Sequence, residues 1–317
     1  MNQSINLVIY GYGKFGKAIE FIAKSSQLNN QMSINYHNVR NGESIAKCNL
    51  SSQSKNIIFI TTSSKEIPSV ITDLEKLDSN YSIVLCAKGL SDCSKNGFHF
   101  WSDYVKKNLP DVNLFVLSGP NFTDEIINNI PTYIDLAVFK NSNQCYQEDY
   151  NMICDLLYSN QEMVKIIKEN QKPSDGYIVQ FMAAIKNIIA IEVGYQVGKK
   201  TVCNNYISYF AVDIFKKLCY GCFVSLTQQH KIDIDITEQN LNSAILSPAG
   251  IGDLILTCFS GKSRNYNFGK NLADENFDFS KFLKENTVEG IEAIKSIIAS
   301  GYDLSFLDCY SKIKQIL

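Results

Sequence analysis

The sequence predicts an α/β Rossmann-like N-terminal domain, with a doubly wound, mostly parallel sheet, followed by an all-α C-terminal domain. Three observations carry this reading. Short β-branched or apolar runs alternate with amphipathic stretches up to about residue 170, long helical patterns then take over, and a glycine loop joins the first run to the first helical stretch. The runs are Ile5 to Tyr10, Met32 to Tyr36, Asn56 to Thr62, Tyr81 to Lys88, Val112 to Ser118, Thr132 to Phe139 and Met163 to Ile167. Between them, Lys65 to Leu77 sets Ile67, Val70, Ile71 and Leu74 at helical spacing, and strand alternating with helix implies a parallel sheet covered on both faces. Helices are expected over Ser174 to Val197, Tyr206 to His230, Arg264 to Asp274 and Val288 to Ala299. The polar, proline-bearing stretch Lys168-Glu-Asn-Gln-Lys-Pro173 is the expected junction, dividing 1–172 from 173–317.

Composition narrows the partners. The 317 residues are 45% hydrophobic and 20% charged, which supplies interior for two cores. Thirty basic against 32 acidic residues leave a charge of −2, so no net field draws the chain to nucleic acid or an anionic membrane, and a small-molecule partner fits better. The ten cysteines are scattered, often inside apolar runs such as Ser82-Ile-Val-Leu-Cys86, and read as buried thiols of a reducing compartment. Cys219-Tyr-Gly-Cys222 is a lone close pair without nearby histidines, so core packing is expected there rather than a metal. The N-terminus lacks a basic segment leading into an apolar one, and no uninterrupted apolar stretch reaches spanning length, so a cytoplasmic chain without stable membrane insertion is expected.

Leu7-Val-Ile-Tyr10 runs directly into Gly11-Tyr-Gly13-Lys-Phe-Gly16 and then into a helical stretch. In that context Gly11 permits the tight turn, Gly13 lets a pyrophosphate approach the backbone, and Gly16 lets the helix lie against the strand. The pyrophosphate would rest on the helix N-terminus, where free N–H groups and the dipole favour an anion. Residues 1–172 are therefore expected to bind a dinucleotide. The acid usual after the second strand is missing from Tyr36-His-Asn-Val-Arg40, and Arg40 suits a 2′-phosphate, so NADP(H) stands beside NAD(H) as the expected cofactor.

Further segments combine polar residues or glycines with apolar runs. They are Ala87-Lys-Gly-Leu90, Ser118-Gly-Pro-Asn-Phe-Thr-Asp-Glu125, Ala184-Ile-Lys-Asn-Ile-Ile-Ala190, Ala249-Gly-Ile-Gly-Asp-Leu-Ile-Leu-Thr-Cys258, Ser263-Arg-Asn-Tyr-Asn-Phe-Gly269 and Val288-Glu-Gly290. Lys186 interrupts a strongly apolar helix, where an ammonium is costly unless a carboxylate or cleft awaits it, and Asp253 in its glycine turn is a suitable partner. A lysine with a tuned pKa in such a setting suits a proton donor. Ser263 reads as an N-cap with Arg264 and Asn265 in the first turn, an arrangement that seats a phosphate.

In this order and spacing the segments resemble the NAD(P)-dependent glycerol-3-phosphate dehydrogenases of the bacterial type, from the glycine loop to Glu289. The resemblance implies interconversion of dihydroxyacetone phosphate and sn-glycerol 3-phosphate with NAD(P)H, supplying glycerol 3-phosphate for glycerophospholipid synthesis. It implies Lys186, Asp253 and Lys88 as the catalytic group. It implies Gly11, Gly13, Lys14, Phe15, Gly16, Arg40, Lys88, Thr123, Arg264 and Glu289 at the cofactor. It implies Lys88, Gly119, Asn121, Lys186, Asp253, Thr257, Ser263, Arg264 and Asn265 at the substrate, with residues 173–317 as the substrate and catalytic domain. Relatives often form dimers, so a homodimer is expected. His37, His99 and His230 match no site and are expected to be surface or packing residues. The chain departs from the pattern over Gly198 to Asp213, at Lys14 and Thr123, and at a C-terminus without the usual proline. Those departures leave two alternatives, a dinucleotide-binding sensor or structural relative and a related hydroxyacid dehydrogenase.

Overall fold

A computed structural model describes residues 4–37, 50, 53–88, 90, 100–139, 146–158, 164–166, 174–200, 202–229 and 237–317. Two compact units result, Met1–Ala87 with Trp101–Val179, and Lys88–Phe100 with Gln180–Leu317.

In the first unit, β1 (Ile5–Tyr10), α1 (Lys14–Ser25), β2 (Met32–His37), β3 (Lys55–Ile60), α2 (Ile67–Leu74), β4 (Tyr81–Leu85), α3 (Trp101–Asn108) and β5 (Asn113–Ser118) follow in order. After them come α4 (Thr123–Ile127), β6 (Thr132–Val138), α5 (Tyr146–Leu157), β7 (Val164–Ile166) and β8 (Ser174–Asp175). The strands lie in the order β2-β1-β3-β4-β5-β6-β7, with β8 also on β6. Every pair is parallel except β5 with β6, where Ser118 faces Asp135. Buried β-branched residues on β1, β3 and β4 explain the double coverage: Ile9, Ile58 and Val84 are all sealed from solvent. Helix α1 lays Ala18, Ile19 and Ile22 into a core with Leu7, Phe59 and Val84. The chain direction of crossovers reverses at β1, between β2 and β3, which is where open α/β sheets hold ligands beyond the strands' carboxyl ends.

Helix α6 (Gly176–Gly198) begins in the first unit and continues into the second. There follow α7 (Asn204–Lys217), a π-type turn over Leu218–Phe223, α8 (Val224–Gln229), α9 (Glu238–Ile245) and α10 (Asp253–Phe259). The unit closes with α11 (Arg264–Leu272), α12 (Phe279–Glu285), α13 (Glu289–Ala299) and α14 (Tyr310–Lys314). The α6 helix is apolar on every side because it is surrounded: Phe181, Met182, Ile185, Ile188 and Ile191 are all buried. Its length and composition alone would suffice to cross a membrane, but Lys186 and Glu192 interrupt it and 94% of its apolar window is buried inside the protein, as in a core helix.

Close backbone contacts set where α11 lies on α6. A Cβ at Gly194 would strike the Tyr266 carbonyl, one at Gly198 the Lys270 carbonyl, and one at Gly269 the Ile191 carbonyl. Glycine at each point lets the two backbones touch. Lower on α6, buried Glu192 accepts from Gln196 Nε2 at 2.6 Å and from the Cys309 backbone N–H at 3.0 Å, while Gln196 also donates to Asp308 at 2.8 Å. These bonds tie the turn before α14 to the central helix. Cys219 and Cys222 are both fully buried in the π-type turn, among apolar neighbours. Of the other described cysteines, Cys86, Cys154, Cys258 and Cys309 are buried and Cys203 is exposed. His37 is a packing residue, 4% exposed and stacked on Tyr10 with ring centroids 5.4 Å apart. His99, His230 and the expected junction at 168–173 lie outside the described residues.

Candidate active site

The first unit holds the glycine loop at the carboxyl end of β1. Gly11 has φ +103°, and a Cβ there would meet Thr62 at 2.7 Å, so the turn requires glycine. At Gly16 a Cβ would press 2.6 Å from the Gly11 carbonyl, whereas nothing lies within 4 Å of one at Gly13. Gly13 is the N-cap of α1 and makes no side-chain capping bond, so among the described residues no capping side chain takes the first N–H groups of the helix. Bare backbone at Gly13 with an uncapped helix start is a cradle for a diphosphate, and the residues present fit a dinucleotide. Lys14 is exposed beside it, and Phe15 packs half-buried against the core. Arg40 lies outside the described residues.

The turn after β5 is likewise built to shape. Gly119 has φ +138°, and Asn121 spends both amide protons on Thr132 Oγ1 and the Tyr133 carbonyl, each at 2.7 Å. Helix α4 starts at Thr123 with Phe122 as its N-cap.

The second unit brings charged residues together in its interior. Asp253 opens α10 after Ser247 caps the preceding Pro248–Gly252 turn by accepting from the Gly250 N–H at 3.1 Å. The Asp253 carboxylate, 2% exposed, accepts the Lys186 ammonium in direct contact and Lys88 Nζ at 3.3 Å. Thr257, one turn along α10, donates to the other oxygen of Asp253 at 3.4 Å. Lys186 is 4% exposed and Lys88 27%. Burial pushes Lys186 down to about 8, helped by the neighbouring Lys88 charge and opposed by Asp253. Asp253 is held below the usual carboxylate range because the two lysines outweigh its own burial. Lys88 is raised, since Asp253 overcomes the effect of desolvation.

A second network begins one residue along α6. Asn187 accepts from Asn265 Nδ2 at 2.9 Å and donates to Glu289 at 3.2 Å, while Asn265 Oδ1 accepts the Gly290 N–H at 2.9 Å. Ser263 caps α11 through the Tyr266 N–H at 3.3 Å, and Arg264 beside it is exposed. The structure thus joins Lys88, Lys186, Asp253 and Thr257 in one cluster, and tethers the Ser263-Arg264-Asn265 turn and Glu289 to the same helix. The glycine loop and the Gly119, Asn121 and Thr123 turn belong to the other unit. Sequence reasoning missed Asn187, whose one signal was a second polar residue inside the apolar run that holds Lys186.

Such a cluster can keep an ammonium buried, protonated and paired near neutral pH, and can give up its proton where the carboxylate keeps its own charge. Beside it, an uncommitted arginine and a helix N-terminus offer an anion seat.

Two family models match the chain, the NAD-dependent glycerol-3-phosphate dehydrogenase N-terminus over residues 6–145 and the C-terminus over residues 175–313. Among curated proteins, a glycerol-3-phosphate dehydrogenase [NAD(P)+] of Ehrlichia chaffeensis is 32% identical over 240 residues, covering 74% of this chain and 64% of the relative. One of Neorickettsia sennetsu is 27% identical over 243 residues, covering 76% and 64%. The match therefore spans a little under two thirds of these relatives. Among solved structures, glycerol-3-phosphate dehydrogenase from Coxiella burnetii superposes with a TM-score of 0.71 at 20% identity, covering 99% of both chains. That from Saccharomyces cerevisiae gives 0.73 at 16% identity, covering 99% of this chain and 95% of the other. At these identities the superpositions speak for the fold.

Proposed function

The chain belongs to the NAD-dependent glycerol-3-phosphate dehydrogenase family, and from that premise we propose that it interconverts dihydroxyacetone phosphate and sn-glycerol 3-phosphate with NAD(P)H. The observation that carries the reading is the buried cluster in which Lys186 and Lys88 share Asp253, on the helix to which the Ser263-Arg264-Asn265 turn is tied. Residues 1–172 act as the dinucleotide-binding domain and 173–317 as the substrate and catalytic domain. Gly11, Gly13, Lys14, Phe15 and Gly16 hold the diphosphate on the start of α1, with Arg40, Lys88, Thr123, Arg264 and Glu289 completing the cofactor site. A bound reduced nicotinamide supplies the hydride.

Lys186 donates its proton to the ketone oxygen as negative charge develops there, and Asp253 keeps that ammonium oriented and charged beforehand. Lys88 adds a second positive charge near the same oxygen. In the reverse direction neutral Lys186 takes the proton from the alcohol. Arg264 grips the substrate phosphate with its guanidinium fork, supported by Ser263, Asn265 and the first N–H groups of α11. Gly119, Asn121 and Thr257 line the remainder of the substrate site. The product would feed glycerophospholipid synthesis in the cytoplasm, and the enzyme would act as a homodimer.

The test is loss of nicotinamide absorbance on adding dihydroxyacetone phosphate, with wild type set against Lys186→Met and dinucleotide binding measured separately. Turnover by wild type and its loss in a variant that still binds cofactor is the expected result. No substrate-dependent loss in wild type that binds cofactor would overturn the reading, and turnover of an unphosphorylated keto acid instead would point to a hydroxyacid dehydrogenase.

A further inference from the structure

A group of side chains beside the glycine loop is used by nothing described so far. Tyr12 stands between the first two glycines, and Tyr36 is the penultimate residue of β2, the strand next to β1. Their rings lie 4.4 Å apart at an interplanar angle of 44°. Both hydroxyls point at one carboxylate on α1. Tyr36 donates to Glu20 Oε1 at 2.5 Å, and Tyr12 donates to Glu20 Oε2. Lys24, one turn further along α1, pairs with Oε1 at 2.5 Å.

A tyrosine hydroxyl has one proton and two acceptor lone pairs. Here both protons are committed to Glu20, so toward any neighbour other than Glu20 the two hydroxyls can only accept. Their commitment is firm at neutral pH. Glu20 is kept below the usual carboxylate range: its three donors overcome the opposing effect of burial. The Tyr12 hydroxyl is pushed up to about 12, chiefly by its bond to Glu20. Of the described lysines on α1, two are engaged and Lys14 is exposed. Lys24 is paired with Glu20, and Lys17 Nζ sits over the Tyr12 ring, 5.8 Å from its centroid. The His37 ring is stacked on Tyr10.

In a dinucleotide fold the adenosine ribose lies by the carboxyl end of the second strand, next to the first glycine turn. A ribose 2′-hydroxyl can donate to an accepting tyrosine oxygen. A 2′-phosphate brings acceptor oxygens and negative charge to a surface that offers lone pairs backed by a carboxylate, and both features repel it. We infer that the Tyr12-Tyr36-Glu20 cluster is a specificity determinant that makes this chain select NAD(H) over NADP(H). The inference rests on the proposed dinucleotide site at the glycine loop, and it runs against the 2′-phosphate reading of Arg40.

The experiment is equilibrium titration of the full-length protein with NADH and with NADPH, followed by nucleotide fluorescence, so that affinity is read without turnover. The expected result is NADH binding at least about tenfold more tightly than NADPH. In Glu20→Gln the fixed charge is lost and the amide can turn a donor outward, so NADPH binding tightens and the ratio narrows several-fold. In Tyr36→Phe an acceptor is lost, so NADH weakens while NADPH, freed of one repelling lone pair, does not. Thermal melts identify variants that keep the fold. Equal or tighter binding of NADPH by wild type overturns the inference, whatever the variants do, and so does an unmoved ratio in a Glu20→Gln protein that melts like wild type. If neither dinucleotide binds, the glycine-loop reading itself fails and takes the inference with it.

Discussion

Replacing Asp253 by Asn removes one charge from the cluster and changes almost nothing in shape. Lys186 loses the carboxylate in contact with it and keeps the repelling ammonium of Lys88, which meets Asp253 at 3.3 Å in the native site. An opposite charge at such range typically moves a pKa by roughly 1–3 units, so Lys186 should fall from about 8 to roughly 5–7. The sign for catalysis follows from the proton's role. Ketone reduction needs protonated Lys186, so kcat/KM in the wild type declines as pH rises through about 8, and oxidation of the alcohol rises through the same pH. In Asp253→Asn both limbs move to lower pH. Stability must move with them. A lysine titrating below its unfolded value binds fewer protons folded than unfolded, so its penalty is greatest below the folded pKa and is relieved as pH rises toward the unfolded one. Breaking a buried pair costs up to about 3–5 kcal/mol, so the gap in melting temperature from wild type should widen on acidification. The assay is the pH profile of kcat/KM with dihydroxyacetone phosphate in both proteins, alongside melts at each pH. A limb that stays near the wild-type position in the variant would refute the assignment of Lys186 as the titrating acid.

Lys186→Met should lower kcat by roughly 10²–10⁴-fold, the usual share of a general acid, while calorimetric NADH affinity holds, because Lys88 remains to pair Asp253. Arg264→Ala should cut kcat/KM for dihydroxyacetone phosphate at saturating nicotinamide by roughly 10- to 150-fold, the worth of a charge-assisted hydrogen bond, and lower the rate with unphosphorylated dihydroxyacetone far less; an equal fall for both would remove Arg264 from the phosphate seat. Gly194→Ala should drive a Cβ into the Tyr266 carbonyl and cost about 1–3 kcal/mol by chemical denaturation, with unchanged stability telling against the close α6 to α11 contact. Glu192→Ala should strand the Cys309 N–H and lower stability by about 1–3 kcal/mol, which the same denaturation curves check.

The features legible in the sequence are those whose cause is local. Strand β1, the glycine turn and α1 follow one another within a short stretch, so periodicity and glycine placement specify them together. The N-cap at Ser263 is equally local, since the hydroxyl needs only the N–H three residues on. Lys186 was conspicuous because burying an ammonium in so apolar a helix demands a partner, although only the fold shows that Asp253, far along the chain, meets it. Gly194, Gly198 and Gly269 carried no such mark. A glycine that exists so that two helices can touch looks, in one dimension, like any other glycine in a helix. Asn187 was hidden for a related reason, because its partners Asn265 and Glu289 come from two other helices.

Glu20 shows how a local reading and a spatial one can diverge. Along the sequence it is an amphipathic-helix acid four residues before Lys24, an arrangement whose ordinary meaning is a solvated pair worth little. The missing acid after β2 and the presence of Arg40 then set a phosphorylated ribose beside a plain one. Only when β2 is laid beside β1 does Tyr36 come beside α1 and commit its hydroxyl proton to Glu20, which leaves that corner accepting rather than donating. The carboxylate a dinucleotide site usually draws from the end of its second strand is, on this view, supplied from the first helix and acts through two tyrosines. A direct acid contributes charge and acceptor at one atom, so mutation removes both together. Here the charge sits on Glu20 and the acceptors on Tyr12 and Tyr36. Glu20→Gln and Tyr36→Phe can therefore separate repulsion of a 2′-phosphate from recognition of a 2′-hydroxyl.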